Sequence, residues 1–515
     1  MNAQLVSRPR RPAALLAATL ALGLAGHPPD AARADGTGRA ASLRVGHTVK
    51  QIEVPASDQS ACPSSPSVPC ERKVDVHLWY PADQRGLFTR AKTVYRSALW
   101  HQSLPGPWAP LSWEVEAEIA RERAPIDPDG PPFPVIVFSH GSNNDPIDYA
   151  HTLELIAGAG FVVAAPSHVN NTQDDARIDY INGQAGTTLF PCNDGIAPPC
   201  SRPSVPNSMR DRISDISHVL DALPGWFGQR VDVSRVGVLG HSRGTVTALA
   251  AAGGSNTWGI GPESRVDAIM GLAIGAATIT NTVNLTQVAV PTVLIAGGRD
   301  QNSAPAVSEG AFATISSADK LLVEIPNAVH RSFDSTYCAQ LQSAAAHAKR
   351  NPNAILDLHT VGLIAASAPG FLSGKAVHYC APRYFTTPVN IQRVVASTFN
   401  AEYSCSRTEN PHPGHQLDPA CSLTAPLAGP PSPCVTTSIP CTGLDTEEVK
   451  QGITKIAVAF FSSALSGTDR HGIDFERYLA PTWLKERLPM VGSAQAYAGP
   501  GSTCPPDQGV ICANK

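Results

Sequence analysis

The chain has 515 residues, a formal net charge of −4 and 12 cysteines. This mildly acidic balance argues against nucleic acid or an anionic membrane surface as a partner. A chain of this length can bury a large core and exceeds what one compact domain usually needs.

The N-terminal segment has the pattern of a cleaved export peptide. Arginines precede an apolar run over residues 13–25, and Ala32-Arg33-Ala34 offers a cleavage site of the A-x-A type. The alternative is a retained membrane helix. The run is short for a bilayer span, so the sequence favours the cleaved export peptide. Loss of residues 1–34 removes four arginines and one aspartate, which takes the net charge from −4 to −7. We therefore expect a periplasmic or secreted protein with no transmembrane segment in the mature chain.

Strand-like and helix-like segments alternate up to residue 330. A first strand is expected within 35–60, and residues 81–132 are expected to form a loop. Further strands are predicted at 74–80, 135–138, 161–165, 235–239, 266–272, 291–295 and 320–325, and helices at 149–157, 209–223, 245–251 and 446–465. This alternation predicts an α/β fold with a mostly parallel central sheet flanked by helices.

The composition changes after residue 330. Residues 331–444 hold six cysteines, many prolines and few strand-like runs. We predict an α/β core over 35–330, a Cys/Pro-rich insertion over 331–444, a C-terminal core helix with an extension over 445–490, and a disulfide-stapled tail over 491–515.

The even number of cysteines in an exported chain predicts disulfides rather than a metal site. Sequential pairing is our hypothesis, although spacing alone does not fix the connectivity. The pairs are Cys62–Cys70, Cys192–Cys200, Cys338–Cys380, Cys405–Cys421, Cys434–Cys441 and Cys504–Cys512. Zinc is the alternative, but the sequence contains no C-x-x-C motif.

The motif Gly240-His241-Ser242-Arg243-Gly244 lies between a predicted buried strand and a predicted helix. In that position a G-x-S-x-G motif is typical of the nucleophile turn of α/β-hydrolases. The turn lifts a serine Oγ above the sheet and requires glycine on both sides because the chain bends so tightly. Ser242 is therefore the candidate nucleophile.

A serine nucleophile needs a base and an acid that orients the base, and in this fold they follow in the order Ser, acid, His. Asp300 comes directly after the strand at 291–295, and His330 follows the strand at 320–325. Asp267 is a rival acid, but it stands at the start of a strand rather than at its end. The rival histidines do not follow a strand that itself follows a candidate acid, and they are His168, His347, His378, His412 and His415.

The oxyanion of the tetrahedral intermediate needs two backbone donors. One is expected from Arg243, the residue after the serine. The other is expected from the loop after the first central strand. The sequence of this loop is Ser139-His140-Gly141-Ser142. We predict that Ser142 supplies this second amide and that Gly141 shapes the turn, the alternative being an ordinary turn at the end of a strand.

Four segments together carry a resemblance to known esterases. They include Phe138-Ser139-His140-Gly141, Gly160-Phe161-Val162-Val163, Val238-Leu239 followed by the 240–244 motif, and Pro326-Asn327-Ala328-Val329-His330. This set resembles the bacterial dienelactone-hydrolase-like and platelet-activating-factor-acetylhydrolase-like esterases, and its layout is similar to that of cutinase-like polyester hydrolases. The resemblance covers roughly 43–330 and 445–466. It implies an α/β-hydrolase fold, hydrolysis of carboxylic esters without a cofactor, and the Ser242, His330, Asp300 triad.

The sequence also departs from these families. Mammalian platelet-activating-factor acetylhydrolases place the acid one strand earlier, where this chain has Leu272-Ala273-Ile274. The position of Asp300 instead resembles the cutinase-like branch. Dienelactone hydrolases use a cysteine nucleophile, where this chain has Ser242. The insertion at 331–444 matches no family that we can name, so specificity is not carried over.

The combined prediction is an exported serine esterase that acts on a small-molecule, lipid or polyester ester. An acyltransferase or amidase with the same triad is the alternative within the class, and a catalytically silent binding protein on a hydrolase fold is the alternative outside it. Because the insertion begins beside His330, we also expect residues 331–444 to cover the mouth of the site and to select the substrate.

Overall fold

The computed structural model describes residues 44–55, 71–83, 90–97, 113–175, 205–340 and 446–512, and four short strands between 355 and 436. Within these ranges there are gaps at 130, 276–279, 299, 301–302, 327, 329, 338, 466–472, 476–478 and 501, and residues 85, 178 and 343 are also described. The predicted leader, nearly all of the predicted insertion, and the five cysteine pairs other than Cys504–Cys512 lie outside the described residues.

Among the described residues, twelve strands form one sheet and four short strands form two small ones. The strands are β1 Val45–Pro55, β2 Glu71–Pro81, β3 Lys92–Arg96, β4 Glu114–Glu122, β5 Phe133–Ser139, β6 Val162–Pro166, β7 Val231–His241, β8 Val266–Leu272, β9 Thr292–Gly297, β10 Lys320–Ile325, β11 Ile355–Asp357, β12 Arg393–Val395, β13 Gln416–Leu417, β14 Val435–Thr436, β15 Ser493–Ala498 and β16 Val510–Cys512. The large sheet has the order β16-β15-β10-β9-β8-β7-β5-β6-β2-β1-β4-β3.

The centre of the sheet is parallel. Strands β6, β5, β7, β8, β9 and β10 are neighbours in that order, and each adjacent pair runs parallel. The chain adds β6 on one side of β5 and then crosses back to add β7 on the other side. Such a reversal opens a crevice between the carboxyl ends of β5 and β7, and ligands of open α/β sheets bind in crevices of this kind.

Helices cover both faces of the sheet. They are α1 Ala150–Gly158, α2 Val205–Phe227, α3 Arg243–Gly253, α4 Pro305–Thr314, α5 Thr446–Ala464 and α6 Pro481–Arg487. Alternate residues of β5 enter different cores, because successive side chains of a strand point to opposite faces. Ile136 and Phe138 pack with α1 and α5, whereas Val135 and Val137 pack with α2 and α3. The predicted α/β fold with flanking helices is confirmed.

Two parts of the sheet were not anticipated from the sequence. Residues 81–132 were expected to be loop, but they contain β3 and β4. The apolar side chains of β4 alternate with glutamates, and the amides of residues 118–120 are bound by the carboxylate of the distant Glu154. The tail likewise supplies β15, which pairs antiparallel with β10, and β16. The predicted disulfide Cys504–Cys512 is present beside β16.

No helix of the described ranges is long and apolar enough to cross a membrane. All described residues belong to one compact unit that begins at Leu43.

Candidate active site

Ser242 occupies a sharp turn between β7 and α3. Its φ of 55° and ψ of −119° lie outside the regions that non-glycine residues normally adopt. Such a conformation costs about 1–3 kcal/mol and persists only where its surroundings enforce it. The Ser242 amide donates to Leu272 O at 2.9 Å, which ties the turn to the end of β8. The strain is therefore held by the sheet itself.

The two glycines of the motif are required by close approach of the backbone. A Cβ atom on Gly240 would overlap the backbone of Gly244, and one on Gly244 would overlap the carbonyl group of Ser139. Neither obstacle is a flexible side-chain end that could move aside. The turn after β5 and the turn after β7 are therefore packed directly on one another.

Asp300 and His330 meet at the same edge of the sheet. They follow the neighbouring strands β9 and β10, and His330 Nδ1 lies 2.7 Å from Asp300 Oδ2. The other carboxylate oxygen accepts the amide of Ser303 at 2.7 Å. Both residues are 3% exposed. Because an ionised carboxylate only accepts hydrogen bonds, Nδ1 carries the proton and Nε2 is left as the basic atom of the ring.

His241, the residue before the serine, joins these loops. Its Nε2 lies 3.2 Å from the carbonyl oxygen of His330, and its Nδ1 lies 2.7 Å from the hydroxyl of Tyr149. Since a carbonyl can only accept, Nε2 is the protonated nitrogen and Nδ1 accepts from Tyr149. Burial, together with the electrostatic effects of His330 and Arg331, holds the pKa of His241 well below its usual range, which keeps the ring neutral. The sequence analysis did not single out this residue.

The predicted oxyanion donors lie on the turns around Ser242. Arg243 is the first residue of α3, and Ser142 lies in the turn after β5. A Cβ atom built on Gly141 would stand 3.3 Å from Ser242 Cβ, so the backbone before Ser142 passes directly beside the nucleophile. The structure brings Ser242 to the turn of Ser142 and brings His330 to Asp300. The hydrogen bond from Ser242 Oγ to His330 Nε2 and the roles of all five residues stay predictions.

A buried polar network connects the loop after β10 to the loop after β5. Asn144 Nδ2 donates to Asp148 at 2.8 Å and to Asp334 at 3.0 Å, and Arg331 donates to Asp334 at 2.7 Å. Burial raises the pKa of Asp334 to about 6, against the opposing charge of Arg331. The residues that follow His330 are thus held to the loop after β5 by contacts that no local sequence pattern predicts.

A second network lies beneath the turn after β5. Ser139 Oγ is 2.9 Å from His168 Nε2, and His168 Nδ1 is 2.8 Å from Asp215. Arg72 binds the same carboxylate at 2.7 Å. Burial raises the pKa of Asp215, but Arg72 and His168 outweigh it and lower the pKa to about 2. Ser139, His168 and Asp215 are 0–1% exposed, so this serine is closed off from any substrate.

The rival candidates occupy other positions. Asp267 accepts the amide of Val236 at 2.9 Å, at the starting end of β8 and away from the crevice. His168 belongs to the buried network under the β5 turn. His347, His378, His412 and His415 lie outside the described residues. In the part of the chain that the structure describes, no group of three or more His, Cys, Asp or Glu side chains is arranged to hold a metal ion.

No protein-family model and no curated protein matches the chain. Among solved structures it is similar to a ferulic acid esterase from Streptomyces cinnamoneus, with 23% identity over 57% of this chain and 77% of that chain and a TM-score of 0.37. It is also similar to a dienelactone hydrolase from Anabaena variabilis, with 18% identity over 56% of this chain and 89% of that chain and a TM-score of 0.31.

Proposed function

We propose that the protein is an exported serine hydrolase of the α/β-hydrolase fold that cleaves carboxylic esters through Ser242, His330 and Asp300. The observation that carries the proposal is the 2.7 Å contact between His330 Nδ1 and Asp300 Oδ2. It stands at the same edge of the sheet as the strained turn of Ser242. A nucleophile on a forced turn, a histidine whose Nδ1 is held by a carboxylate, and the burial of that carboxylate are the parts that acyl transfer through serine needs.

In the first step, His330 Nε2 removes the proton of Ser242 while Oγ attacks the ester carbonyl carbon. The electron pair of the carbonyl moves to oxygen, and the backbone amides of Ser142 and Arg243 bind the oxyanion. Asp300 stabilises the imidazolium that forms. The intermediate collapses, and His330 returns its proton to the departing alkoxide, which leaves an acyl-enzyme and an alcohol.

In the second step, His330 removes a proton from water, and the hydroxide attacks the acyl carbon. A second oxyanion forms in the same place. It collapses with cleavage of the bond to Ser242 Oγ, His330 returns its proton to Oγ, and the carboxylic acid is released. No step needs a cofactor. We propose a small-molecule, lipid or polyester ester as the substrate.

Hydrolysis of a p-nitrophenyl ester series, from acetate to palmitate, tests the proposal. Wild type and Ser242→Ala are compared with Ser264→Ala, which replaces an exposed serine on another loop. We expect wild type and Ser264→Ala to be equally active and Ser242→Ala to fall to background. Unchanged turnover in Ser242→Ala would overturn the assignment, as would inactivity of the folded, oxidised wild type on every ester. The acyl chain length that is hydrolysed fastest would indicate the size of the acyl-binding site.

Export is the second part of the proposal. The charged segment, apolar run and Ala32-Arg33-Ala34 site support cleavage after Ala34. Mass spectrometry of the protein recovered from a bacterial host's periplasm or medium is expected to find a chain that begins at Asp35. Recovery of the intact chain from the membrane fraction would contradict export by cleavage.

A further inference from the structure

Arg212 lies in α2, outside the predicted triad, and is completely buried. Its guanidinium points at the turn that carries Ser142. Nη1 donates to the carbonyl of His140 at 2.6 Å, and Nη2 donates to the carbonyl of Gly141 at 3.2 Å. Nη1 is also 3.4 Å from Ser139 Oγ. One side chain therefore binds two successive carbonyl groups of this turn.

This use of a buried arginine is unusual. Burying a cation is costly, and a carboxylate normally offsets the cost through direct hydrogen bonds. Among the described residues, the hydrogen bonds of Arg212 all go to neutral oxygens, the remaining one being from Nε to Asn171 Oδ1 at 3.4 Å. The nearby carboxylate of Asp215 is hydrogen-bonded to Arg72 and His168 instead. The charge of Arg212 is thus directed at the peptide groups of the turn.

These peptide groups are the ones that matter for the proposed chemistry. The carbonyl of Gly141 and the amide of Ser142 belong to a single planar peptide unit. In a trans peptide the C=O and N–H bonds point in opposite directions, so a partner that fixes the carbonyl also fixes the direction of the amide. A charged donor on the carbonyl also polarises the unit and strengthens its N–H as a hydrogen-bond donor.

Asn171 connects Arg212 to the other predicted donor. Its Oδ1 also lies 3.2 Å from Arg243 Nη1, and its carbonyl accepts the amide of Asn143 at 2.8 Å. The turn that follows Ser142 and the side chain of Arg243 are therefore held by the same residue. Together these contacts connect the turn that carries Ser142 to the side chain of the residue that supplies the other predicted amide.

We propose that Arg212 is a positioning residue of the oxyanion site, which aims and polarises the Ser142 amide from behind without touching the substrate. This inference rests on the proposed function. It predicts that loss of Arg212 weakens binding of the transition state and leaves binding of the ground-state ester almost unchanged, because the oxyanion exists only after attack.

The test compares Arg212→Met and Arg212→Lys with Arg210→Met and Arg210→Lys. Arg210 is a matched control because it lies on the same helix and also donates to a carbonyl, that of Trp258 at 2.6 Å, on a different loop. For each variant, kcat and KM are measured on the best p-nitrophenyl ester. The inhibition constant of an alkylboronic acid is measured too, because the boronate adduct of serine mimics the tetrahedral intermediate. Circular dichroism and thermal unfolding establish that each variant folds.

We expect Arg212→Met to lower kcat by about 10²–10³-fold, the loss typical of one oxyanion donor, with KM changed by less than about threefold. The boronic acid should bind more weakly in proportion to the loss of kcat/KM. Arg212→Lys keeps the charge but not the planar fork, so it should fold and retain an intermediate kcat. Both Arg210 variants should match wild type.

A kcat of Arg212→Met equal to that of wild type would overturn the inference, as would a lower kcat with unchanged boronic acid binding. If Arg212→Met does not fold, Arg212→Lys decides alone, and wild-type kcat and boronic acid binding in that variant would overturn the inference. Failure of the proposed function has a different signature. If the proposed function is wrong, the wild type itself is inactive or Ser242→Ala retains activity. Either result would also overturn the inference about Arg212.

Discussion

His330 Nδ1 and Asp300 Oδ2 are 2.7 Å apart although 30 residues separate them in the chain. The contact forms because β9 and β10 are parallel neighbours whose carboxyl ends stand side by side. Asp300, in the loop after β9, and His330, in the loop after β10, therefore lie next to each other at the carboxyl edge of the sheet. Ser242 reaches this edge from β7, and His241 joins it to the loop of His330 through the carbonyl of that residue. A site of this kind depends on strand order more than on any local motif.

Replacement of Asp300 tests its role as the orienting acid. In Asp300→Asn the side chain offers no negative charge to the imidazolium and favours the wrong tautomer of His330. We expect kcat to fall by about 10⁴-fold, as in serine proteases, while the fold is kept. Asp267→Asn is the control, since that carboxylate serves the amide of Val236. Steady-state kinetics decide, and equal losses in the two variants would contradict the assignment.

Replacement of glycine by alanine is expected to have opposite effects on stability at Gly244, in the motif, and at Gly225, in α2. In Gly244→Ala the new methyl group meets the carbonyl of Ser139, so the backbone must shift. We expect a loss of about 1–3 kcal/mol or more in the free energy of unfolding, together with loss of activity. At Gly225, near the end of α2, a Cβ meets no atom within 4 Å. Gly225→Ala should therefore stabilise the protein by about 0.5–1 kcal/mol. Urea unfolding of both variants measures this, and a harmless Gly244→Ala would refute the close approach.

The buried pair of Arg72 and Asp215 is expected to matter far more than an exposed pair. Arg72→Met leaves the carboxylate of Asp215, which is 0% exposed, without its guanidinium partner. We expect a loss of about 3–5 kcal/mol in the free energy of unfolding. The control is Arg96→Met, since Arg96 pairs with Glu114 at 37% and 42% exposure, and it should cost less than about 1 kcal/mol. Similar losses in denaturant titrations of the two variants would contradict the assigned burial.

The burial of His168 leads us to predict a specific pH dependence of the free energy of unfolding. Burial, reinforced by the charge of Arg212, lowers the pKa of His168 to about 4, against 6.5 for an ordinary histidine. The unfolded chain therefore binds a proton between pH 6.5 and 4 that the folded chain does not. The stability that neutral His168 contributes is fully present above pH 6.5 and is lost as the pH falls towards 4.

The variant His168→Gln has no titratable group at this position, so neither its folded nor its unfolded chain binds this proton between pH 6.5 and 4. The difference in unfolding free energy between wild type and variant should be largest above pH 6.5 and shrink by about 3 kcal/mol as the pH falls to 4. Denaturant titrations at several pH values measure that difference. A difference that stays constant, or grows on acidification, would show that His168 is not held neutral. Comparing the two proteins cancels the buried groups whose pKa does not depend on His168, including Asp334, whose raised pKa acts in the opposite sense.

The parts of the fold that the sequence predicts well are those in which local pattern and tertiary environment agree. The strand at Lys320–Ile325 and the helix over 446–464 have the hydrophobic period that their buried faces require, and both are present. The elements that the sequence analysis missed depend on distant partners. Strand β15 has the weak strand sequence Ser-Ala-Gln-Ala-Tyr-Ala, and it forms a strand where the edge of β10 offers a ladder of hydrogen bonds.

The same distinction applies to the candidate site. Ser242, Asp300 and His330 are marked by their positions after strands, which a linear sequence displays. Arg212 and His241 are not marked in this way, because their roles depend on which carbonyl oxygens they meet across the fold. A buried arginine in the middle of a helix could have been flagged as costly, but nothing in the sequence indicates that it faces the turn after β5.

The most direct measurement for the central claim is covalent labelling with an alkyl fluorophosphonate, followed by intact-mass and peptide mass spectrometry. The reagent loses fluoride as its phosphorus bonds to an activated serine oxygen. The account predicts one adduct per chain, on the peptide that contains Ser242, with labelling abolished in Ser242→Ala and greatly slowed in His330→Ala. Absence of labelling in the folded, oxidised protein, or an adduct on a different residue, would contradict it.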